Sequence, residues 1–436
     1  MEPGQVLSTM SRHMIVDGFD FVLDHERSQG TTLVDLRDGT EYLDMFSFFA
    51  SNALGMNHPA LLKDEVRDHL TRVAINKPSN SDIYSPEIAQ FVEVFSRILG
   101  DPRLDHLFLI EGGALAVENA LKAAFDWKQQ KNEAAGRDPS LGTKVIHLTG
   151  AFHGRTGYTM SLTNTEPMKV AGYPKFDWPR LDAPYLDFPL DDHRDANQQR
   201  EDAALDQLRA VLEADGPDIA CFIAEPIQAE GGDRHLSPNF LRATQELCHE
   251  HDVLFALDEV QTGVGLTGTP WCYEQLDLAP DLVAFGKKTH VCGVMGGGRI
   301  NEIEDNVFVT SSRLNSTFGG NLVDITRMIY VLQVIEEEAL IAQAATLGEH
   351  LLVGLADLAS THEVVSNVRG RGLMCAFDLP DRETRDRVLS GVFADEHVFL
   401  IGCGSSSVRF RPPLTATEAD LDHAVAALDR VLRRLT

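Results

Sequence analysis

The chain has 436 residues, of which 43% are hydrophobic, and it carries a formal net charge of −28. This length suggests two domains, or one large domain with a smaller unit, and the apolar content argues against a disordered chain. The sequence contains no run of lysine and arginine. Since phosphate recognition needs a basic surface, this acidic composition argues against nucleic-acid binding.

The sequence shows no pattern typical of a membrane span or of export. No apolar stretch approaches the roughly 20 residues that a membrane span needs, and the polar segment 1–20 lacks the apolar centre of a signal peptide. The six cysteines are scattered and form no Cys-x-x-Cys pair. We therefore expect no zinc or other metal site, no membrane contact and a cytoplasmic location, with the cysteines as small buried apolar residues.

The first two thirds of the chain predict strands alternating with helices. A hairpin is expected around Asp38-Gly39, between Leu33–Leu36 and Glu41–Leu43. The later apolar runs predict strands at Leu107–Ile110, Val145–Leu148, Ile219–Ala224, Val253–Leu257 and Leu282–Phe285, and the helix-like segments are Ala114–Lys131 and Pro238–His251. Short, fully apolar strands between helices are typical of a parallel sheet covered on both faces. The predicted fold class is α/β, with right-handed crossovers.

The pattern changes after about residue 324. A single long helix is predicted over Asp324–Leu358, and an amphipathic helix is predicted at the end of the chain. Between them the apolar runs predict strands within Val364–Leu379, Val398–Ile401 and Val408–Phe410. We predict a large domain over residues 46–324 and a small α+β domain over 325–436, with residues 1–45 packing on the small domain.

Residues with chemical potential follow the predicted strands directly. Ligands of open parallel sheets bind beyond the carboxyl ends of the strands, so these segments are expected to converge. They are Glu111–Ala114, Gly150–Arg155, Glu225–Gly232, Asp258–Gln261 and Gly286–Lys288. A glycine loop, an aromatic–histidine pair, carboxylates and a lysine are thereby expected at one edge of the sheet.

Each of these residues has an alternative interpretation. Gly112-Gly113 is either a tight turn or a backbone approach to a phosphate at a helix N-terminus. Asp258 is either a helix cap or a functional carboxylate. Lys287 is harder to explain structurally, because lysine is rarely placed at the end of a buried strand. A phosphate loop, a carboxylate for a pyridinium nitrogen and an imine-forming lysine together indicate pyridoxal 5′-phosphate (PLP).

Over about Ile15–Leu435, the chain resembles the class III (ω-amino acid) aminotransferases of PLP fold type I. The resemblance is carried by four motifs, which are Asp258–Gly263, Pro280–Lys287, Ser316–Asn321 and Val368–Leu373. It implies a large domain with a mainly parallel sheet covered by helices, and a smaller α+β domain.

The resemblance also implies the roles of individual residues. Lys287 would hold PLP as a Schiff base and act in catalysis with Asp258, which would pair with the pyridinium nitrogen. The other implied cofactor contacts are Gly113 and Ala114 at the phosphate, Phe152 on the ring, Gln261 at the phenolic oxygen and Thr317 at the phosphate of the other subunit. The last contact implies a homodimer with shared active sites.

Several positions depart from the usual class III pattern. The loop Gly112–Ala116 lacks a hydroxyl and an acid, Phe152 stands where tyrosine is usual, and Ala229 stands where glycine is frequent. With Phe285–Cys292 and Phe410–Leu414, these variations resemble the lysine 6-aminotransferases (lysine ε-aminotransferases). The implied reaction moves the ε-amino group of L-lysine to 2-oxoglutarate, giving 2-aminoadipate 6-semialdehyde and L-glutamate.

Such an enzyme must accept two differently charged substrates in one site. We expect Arg155 to bind the distal carboxylate of both, and the resemblance adds Asn315 to the substrate contacts. Arg409 is expected to bind the α-carboxylate of 2-oxoglutarate or glutamate. The resemblance pairs Arg409 with Glu230, which would neutralise it when lysine is bound. The alternative is a fixed ion pair between Glu230 and Arg409.

Three other functions remain open at this stage. Ornithine or 4-aminobutyrate could be the amino donor, because pocket shape decides donor choice. A PLP-binding regulator without turnover is a second possibility, against which Lys287, Asp258 and Arg409 argue. A dinucleotide oxidoreductase would need Gly-x-Gly-x-x-Gly after the first strand, and Gly112-Gly113 does not supply it.

Overall fold

A computed structural model describes residues 1–435. Its largest sheet has seven strands in the order His106–Ile110, Cys292–Gly296, Leu282–Phe285, Leu254–Asp258, Ile219–Ala224, Lys144–Leu148 and Arg180–Leu181. Every neighbouring pair is parallel except the two made by Cys292–Gly296, which runs antiparallel to both neighbours. All five strands predicted from apolar runs are confirmed. The antiparallel strand was not predicted, because its glycines interrupt the apolar run.

The central strands are buried on both faces. Leu254 and Ala256 pack into one apolar cluster, with the helix Gly113–Ala134, whereas Phe255 and Leu257 pack into the other. This alternation follows from the two-residue period of a strand. The other helices of residues 1–321 are Val6–Met10, Asp64–Ala74, Pro86–Ile98, Thr159–Leu162, Arg194–Asp215 and Pro238–Glu250, with Ser47–Ala50 as a single turn. Short 3-10 helices lie at Pro3–Gln5, Pro59–Leu62, Pro167–Lys169, Gly216–Asp218, Cys272–Leu276, Lys287–Thr289 and Gly298–Glu302.

The rest of the chain builds a smaller, antiparallel sheet. Its strands, in spatial order, are Ser366–Arg371, Met374–Asp378, Ser407–Phe410 and Ile401–Cys403. The helices of this part are Leu322–Glu337, Leu340–Thr361, Arg382–Glu396 and Glu418–Leu435. A two-stranded ribbon, Ile227–Gln228 with Arg234–His235, leads from the large sheet toward it.

The N-terminal hairpin joins this smaller part. Thr32–Val34 pairs antiparallel with Glu41–Asp44, as predicted, and Glu41–Asp44 pairs in parallel with Val398–Phe399. Aromatic side chains fill the space around these strands, including Phe19, which contacts the Phe399 ring edge-on at 4.8 Å. The division into residues 1–45, 46–324 and 325–436 stays a prediction.

The single helix predicted over Asp324–Leu358 is wrong. Two helices, Leu322–Glu337 and Leu340–Thr361, meet at an angle of 64°. Ala339 between them is left-handed, with φ 52°. The first helix ends in a run of three glutamates, and negative charge at a helix C-terminus opposes the helix dipole. Within residues 1–435, no single helix is long and apolar enough to cross a membrane. Only these two bent helices, taken together, reach that length and apolar composition.

Candidate active site

A cavity of about 350 Å³ opens at the carboxyl ends of the parallel strands. Eight of the predicted site residues line it, namely Gly113, Ala114, Phe152, Glu230, Asp258, Gln261, Lys287 and Arg409. The large sheet provides most of them, and the smaller sheet provides Arg409. The expected convergence of strand ends is therefore confirmed for these residues.

The two adjacent lysines point to different environments. Lys287 lines the cavity, whereas the Lys288 ammonium donates to the carbonyl oxygens of Gln261 at 3.0 Å and Ala50 at 3.4 Å. Burial, followed by the charges of Arg409 and Arg411, lowers the pKa of Lys287 to about 8. A lysine with this pKa is about one tenth neutral, nucleophilic amine at pH 7, far more than a lysine with the ordinary pKa.

Lys287 is held by a strained turn from the N-terminal part of the chain. Its Nζ donates to the Phe49 carbonyl oxygen at 3.2 Å. Phe49 belongs to the turn Ser47–Ala50, whose four φ angles, between 40° and 64°, are left-handed. With the Gln261 amide assigned so that its oxygen faces Lys287, the Gln261 oxygen accepts from Lys287 Nζ at 2.7 Å and its nitrogen donates to the Phe49 carbonyl at 3.1 Å. Lys287 itself has φ 55°, and such strain in a non-glycine residue is typical of functional sites.

Asp258 is held rigidly at the end of its strand. One carboxylate oxygen accepts from His153 Nδ1 at 2.8 Å and the other accepts from the Val260 amide at 3.1 Å. Burial alone would lower the pKa of His153, but the bond to Asp258 outweighs it and raises that pKa. These two bonds fix the Asp258 carboxylate at the edge of the cavity, where it can pair with a protonated nitrogen.

A second carboxylate, Glu225, is buried beside Asp258. It accepts from the amides of Phe152 at 3.0 Å and Ala229 at 3.2 Å, and so fixes the loops that carry these two residues. Burial raises the pKa of Glu225 above its usual range. The two acids thus differ, because Asp258 has a charged partner and Glu225 mainly bonds to backbone amides.

A helix N-terminus faces the same cavity. The helix Gly113–Ala134 begins after Gly112, which has φ 106° and no side chain to cap the first amides. These amides therefore remain available to an anion, and the helix dipole favours one there. Space is limited between Gly113 and Val260, since a Cβ on Gly113 would lie 3.1 Å from the Val260 side chain.

The opposite wall of the cavity contains a shared carboxylate. Arg409 Nη2 donates to one oxygen of Glu230 at 3.2 Å, and Lys169 Nζ donates to the other oxygen at 2.5 Å. Burial alone would raise the pKa of Glu230, but Arg409 and Lys169 outweigh it and lower that pKa. Glu230 is therefore ionised, and it neutralises Arg409 in this state.

Comparisons with known proteins fit this geometry. The family model described as "Aminotransferase class-III" matches residues 16–432. The L-lysine-epsilon aminotransferase of Mycobacterium tuberculosis is 56% identical over 436 residues, covering 100% of this chain and 96% of the relative. This chain belongs to the class-III aminotransferases.

More distant relatives and solved structures agree with this assignment. The mitochondrial 4-aminobutyrate aminotransferase of Sus scrofa is 33% identical, covering 90% of this chain and 81% of the relative. The solved lysine aminotransferase from M. tuberculosis in the internal aldimine form has a TM-score of 0.98 and 56% identity, with each chain covered completely. The predicted family, its lysine ε-aminotransferase subgroup and PLP fold type I are confirmed.

The cofactor of class-III aminotransferases is PLP, and the cavity fits it. The uncapped amides before Ala114 suit a phosphate, the carboxylate of Asp258 suits a pyridinium nitrogen, and the neutral fraction of Lys287 suits an aldehyde. These three features belong to one cavity. The chain's own residues therefore account for the phosphate, the ring nitrogen and the aldehyde of PLP.

Three predicted residues lie elsewhere in the described chain. Arg155, Asn315 and Thr317 are exposed and are not part of the cavity lining. The Thr317 carbonyl oxygen accepts from the hydroxyl groups of Ser79 at 2.6 Å and Ser81 at 3.3 Å. Their assignments to substrate and to the other subunit's phosphate stay predictions.

Four residues of this site received no individual role in the sequence analysis. His153 and Glu225 stood in segments that follow strands, so their position was a usable signal. Phe49 and Lys169 had no such signal, because each lies in a single short turn, Ser47–Ala50 or Pro167–Lys169, that carries no motif. Their roles depend on contacts between segments that are distant along the chain.

Proposed function

We propose that this aminotransferase moves the ε-amino group of L-lysine to 2-oxoglutarate, producing 2-aminoadipate 6-semialdehyde and L-glutamate. The observation that carries the proposal is the buried Arg409 beside Lys287, neutralised by Glu230. A permanently charged arginine would favour donors with an α-carboxylate next to the reacting amine. A neutralised arginine instead admits the methylene chain that lysine places there. The names of the relatives at 56% identity support the same donor.

The cofactor-binding residues have separate roles in this proposal. When bound, PLP withdraws electrons from the carbon that carries the reacting amine. Asp258 keeps the ring nitrogen protonated, Gln261 contacts the phenolic oxygen and Phe152 covers the ring. Gly113 and Ala114 bind the phosphate through their amides.

Lys287 has two successive roles. With PLP bound, Lys287 would hold the cofactor covalently through its amine. After exchange with the substrate amine, Lys287 Nζ would be a free base beside the reacting carbon and would move the proton between the two ends of the reacting unit. The lowered pKa of Lys287 suits this role, because a base works best when its pKa lies near the working pH.

Substrate carboxylates are assigned to arginines. Arg155 binds the carboxylate far from the reacting amine in both half-reactions, and Asn315 contributes to the same pocket. Arg409 binds the near carboxylate of glutamate or 2-oxoglutarate, after Glu230 has moved away. A guanidinium binds a carboxylate through two parallel hydrogen bonds, which gives orientation as well as affinity.

We also propose a cytoplasmic homodimer with shared active sites. Thr317 would contact the phosphate in the other subunit, since it lies outside the cavity of its own subunit. Ser81, which bonds to the Thr317 carbonyl oxygen, is followed by the exposed apolar side chains of Ile83 and Tyr84. Apolar residues exposed beside a functional loop are typical of a protein interface.

Isotope transfer tests the donor and the reacting nitrogen together. The PLP-loaded protein is incubated with 2-oxoglutarate and lysine labelled with ¹⁵N at either the ε- or the α-nitrogen. We expect ¹⁵N-glutamate only from the ε-labelled lysine. Ornithine and 4-aminobutyrate are the comparison donors, and faster turnover of either would contradict lysine as the donor. Absence of turnover with all three would favour a PLP-binding regulator.

Peptide mapping tests the identity of the anchoring lysine. Borohydride reduction of the PLP-loaded protein should leave the phosphopyridoxyl group on Lys287. Lys288 serves as the internal control, because it is adjacent in sequence but bonded to the carbonyl oxygens of Gln261 and Ala50. A label on Lys288 would contradict this part of the proposal.

A further inference from the structure

Lys169 is the second cation on Glu230, and nothing in the proposed reaction has so far used it. Its Nζ lies 2.5 Å from one Glu230 oxygen, whereas Arg409 Nη2 lies 3.2 Å from the other. The two cations also differ in environment, since the Arg409 side chain is 2% exposed and the Lys169 side chain is 22% exposed. Glu230 thus bridges a buried cation inside the cavity and a more exposed cation at its edge.

This arrangement matters when a dicarboxylate enters the cavity. The substrate carboxylate takes the place of Glu230 on Arg409, and Glu230 must then leave without becoming an unpaired, half-buried charge. If Glu230 lost Arg409 and found no other cation, its movement would be costly, because an isolated charge is poorly solvated there. Lysine suits an alternative partner, since its flexible stem lets the ammonium follow a moving carboxylate.

Lys169 is itself supported at the cavity edge. Its Nζ lies 5.5 Å from the centre of the Phe152 ring, and 3.8 Å from a carboxylate oxygen of Glu166. Arg382, on the helix Arg382–Glu396, pairs in turn with Glu166 at 3.2 Å. Charges therefore alternate in sign from the surface to Arg409, and Lys169 occupies the middle of the series.

We propose that Lys169 is a positioning residue. It holds the Glu230 carboxylate after that carboxylate has left Arg409, and so allows the same cavity to accept 2-oxoglutarate. The inference rests on the proposed function, in which Glu230 alternates between two positions. It adds the group that receives Glu230 in the second position. Without Lys169, Arg409 is the remaining cation on Glu230. The arrangement in which Glu230 occupies Arg409 and excludes a substrate carboxylate is then favoured.

The first test measures dicarboxylate binding without turnover. Glutarate has the length of 2-oxoglutarate but no keto group, and its dissociation constant is measured by calorimetry on the PLP-loaded protein. We expect Lys169→Met to weaken glutarate binding about tenfold, within the usual range of coupling between two events. Lys169→Arg should restore the affinity to within about threefold. The matched control is Lys175→Met, since Lys175 lies in the same loop but donates to the Val170 carbonyl oxygen.

The lysine half-reaction separates a role in switching from a role in folding. Lys169→Met should raise the KM for 2-oxoglutarate about tenfold and change the rate of the lysine half-reaction much less, because Glu230 remains on Arg409 in that half. An equal loss in both half-reactions would overturn the proposal in favour of a structural role. Unchanged glutarate binding in Lys169→Met would also overturn it.

A double-mutant cycle separates action through Glu230 from direct attraction of the ligand. In a Glu230→Gln background, Lys169→Met should have no further effect on glutarate binding, since the carboxylate that it retains is gone. A tenfold loss that persists in this background would mean that Lys169 attracts dicarboxylates directly, and would overturn the proposal. The single variant Glu230→Gln tests the proposed switch by itself, so the two failures are distinguishable.

Discussion

Two arginines, two residues apart at the end of the inner strand Ser407–Phe410 of the smaller sheet, form ion pairs of different character. Arg411 and Asp233 are both buried, with side-chain exposures of 0% and 1%, and their charged atoms lie 2.5 Å apart. Arg409 is equally buried, but its partner Glu230 is 31% exposed and lies 3.2 Å away. Both carboxylates belong to the turn between the ribbon strands Ile227–Gln228 and Arg234–His235.

The remaining contacts explain why one pair is fixed and the other can open. Arg411 also donates to the Phe410 carbonyl oxygen at 2.6 Å, and Asp233 has no route to solvent. Within residues 1–435, Arg409 leaves two of its three nitrogens, Nε and Nη1, buried without a hydrogen-bond partner, whereas Arg411 leaves one, Nε. Unsatisfied buried donors are costly, so a substrate carboxylate that satisfies them is bound strongly. The comparison suggests that Arg411 stabilises the loop and Arg409 acts on substrates.

The largest expected effect comes from breaking the fixed pair. Asp233→Asn keeps the shape and tolerates the left-handed φ of 48° at this position, but it leaves the Arg411 charge uncompensated. The free energy of unfolding should fall by about 3–5 kcal/mol, measured by denaturant unfolding of the PLP-loaded protein. Glu230→Gln is the matched control, with a smaller expected loss, because Glu230 is 31% exposed and solvent already screens part of its charge. Similar losses in both variants would remove the distinction between the pairs.

The next effect comes from removing the arginine of the opening pair. Arg409→Ala should cost the glutamate half-reaction about 2–5 kcal/mol of transition-state stabilisation, because a desolvated carboxylate contact is lost. The lysine half-reaction should lose much less. Single-turnover absorbance measurements on each half-reaction give both values. A loss shared equally between the halves would indicate that Arg409, like Arg411, is structural.

Removing the carboxylate of the opening pair should have a smaller effect, in the opposite half-reaction. In Glu230→Ala the charge of Arg409 is no longer cancelled, and it disfavours the methylene chain of lysine. We expect the lysine half-reaction to slow about tenfold, which corresponds to about 1.4 kcal/mol. The glutamate half-reaction should stay nearly intact, and this contrast is read from the same single-turnover traces. If the glutamate half-reaction slowed more, Glu230 would not be the neutralising group.

The smallest expected effect is a shift in pH dependence. The pKa of Lys287 is lowered to about 8, so the neutral amine is lost as the pH falls below about 8. The rate at which PLP attaches to the cofactor-free protein should therefore rise with pH around a midpoint near 8. Arg409 contributes to the lowered pKa, so Arg409→Met should move the midpoint upward, by less than about one unit. A midpoint that moved downward would mean that Arg409 does not influence Lys287.

Much of this site was predictable because its residues follow strands. Lys287 and Asp258 stand at the ends of fully apolar runs, where periodicity identifies the strand and the sheet edge places the side chain. Arg409 and Glu230 were assigned from the family resemblance, and the structure brings them into one cavity. Local patterns and a known motif are sufficient to place residues that follow a strand or belong to a family motif.

The rest of the site depends on packing that a local pattern does not contain. The left-handed turn at Ser47–Ala50 is unfavourable for its own residues, and contacts with distant residues hold it. Lys169 reaches Glu230 across 61 residues of sequence. The break at Ala339 had a local signal in the preceding glutamates, but apolar periodicity on both sides of it concealed that signal.

The bond from Lys287 to the Phe49 carbonyl oxygen also has a consequence for the order of folding. It joins residues 238 positions apart, and Arg409, in the same cavity, lies nearer still to the end of the chain. Contacts of such long sequence separation form late, because closing a long loop costs chain entropy before any contact compensates for it. A chain still emerging from the ribosome therefore lacks the complete cavity until the strand Ser407–Phe410 is available. Capture of PLP would accordingly report that both ends of the chain have reached their native positions.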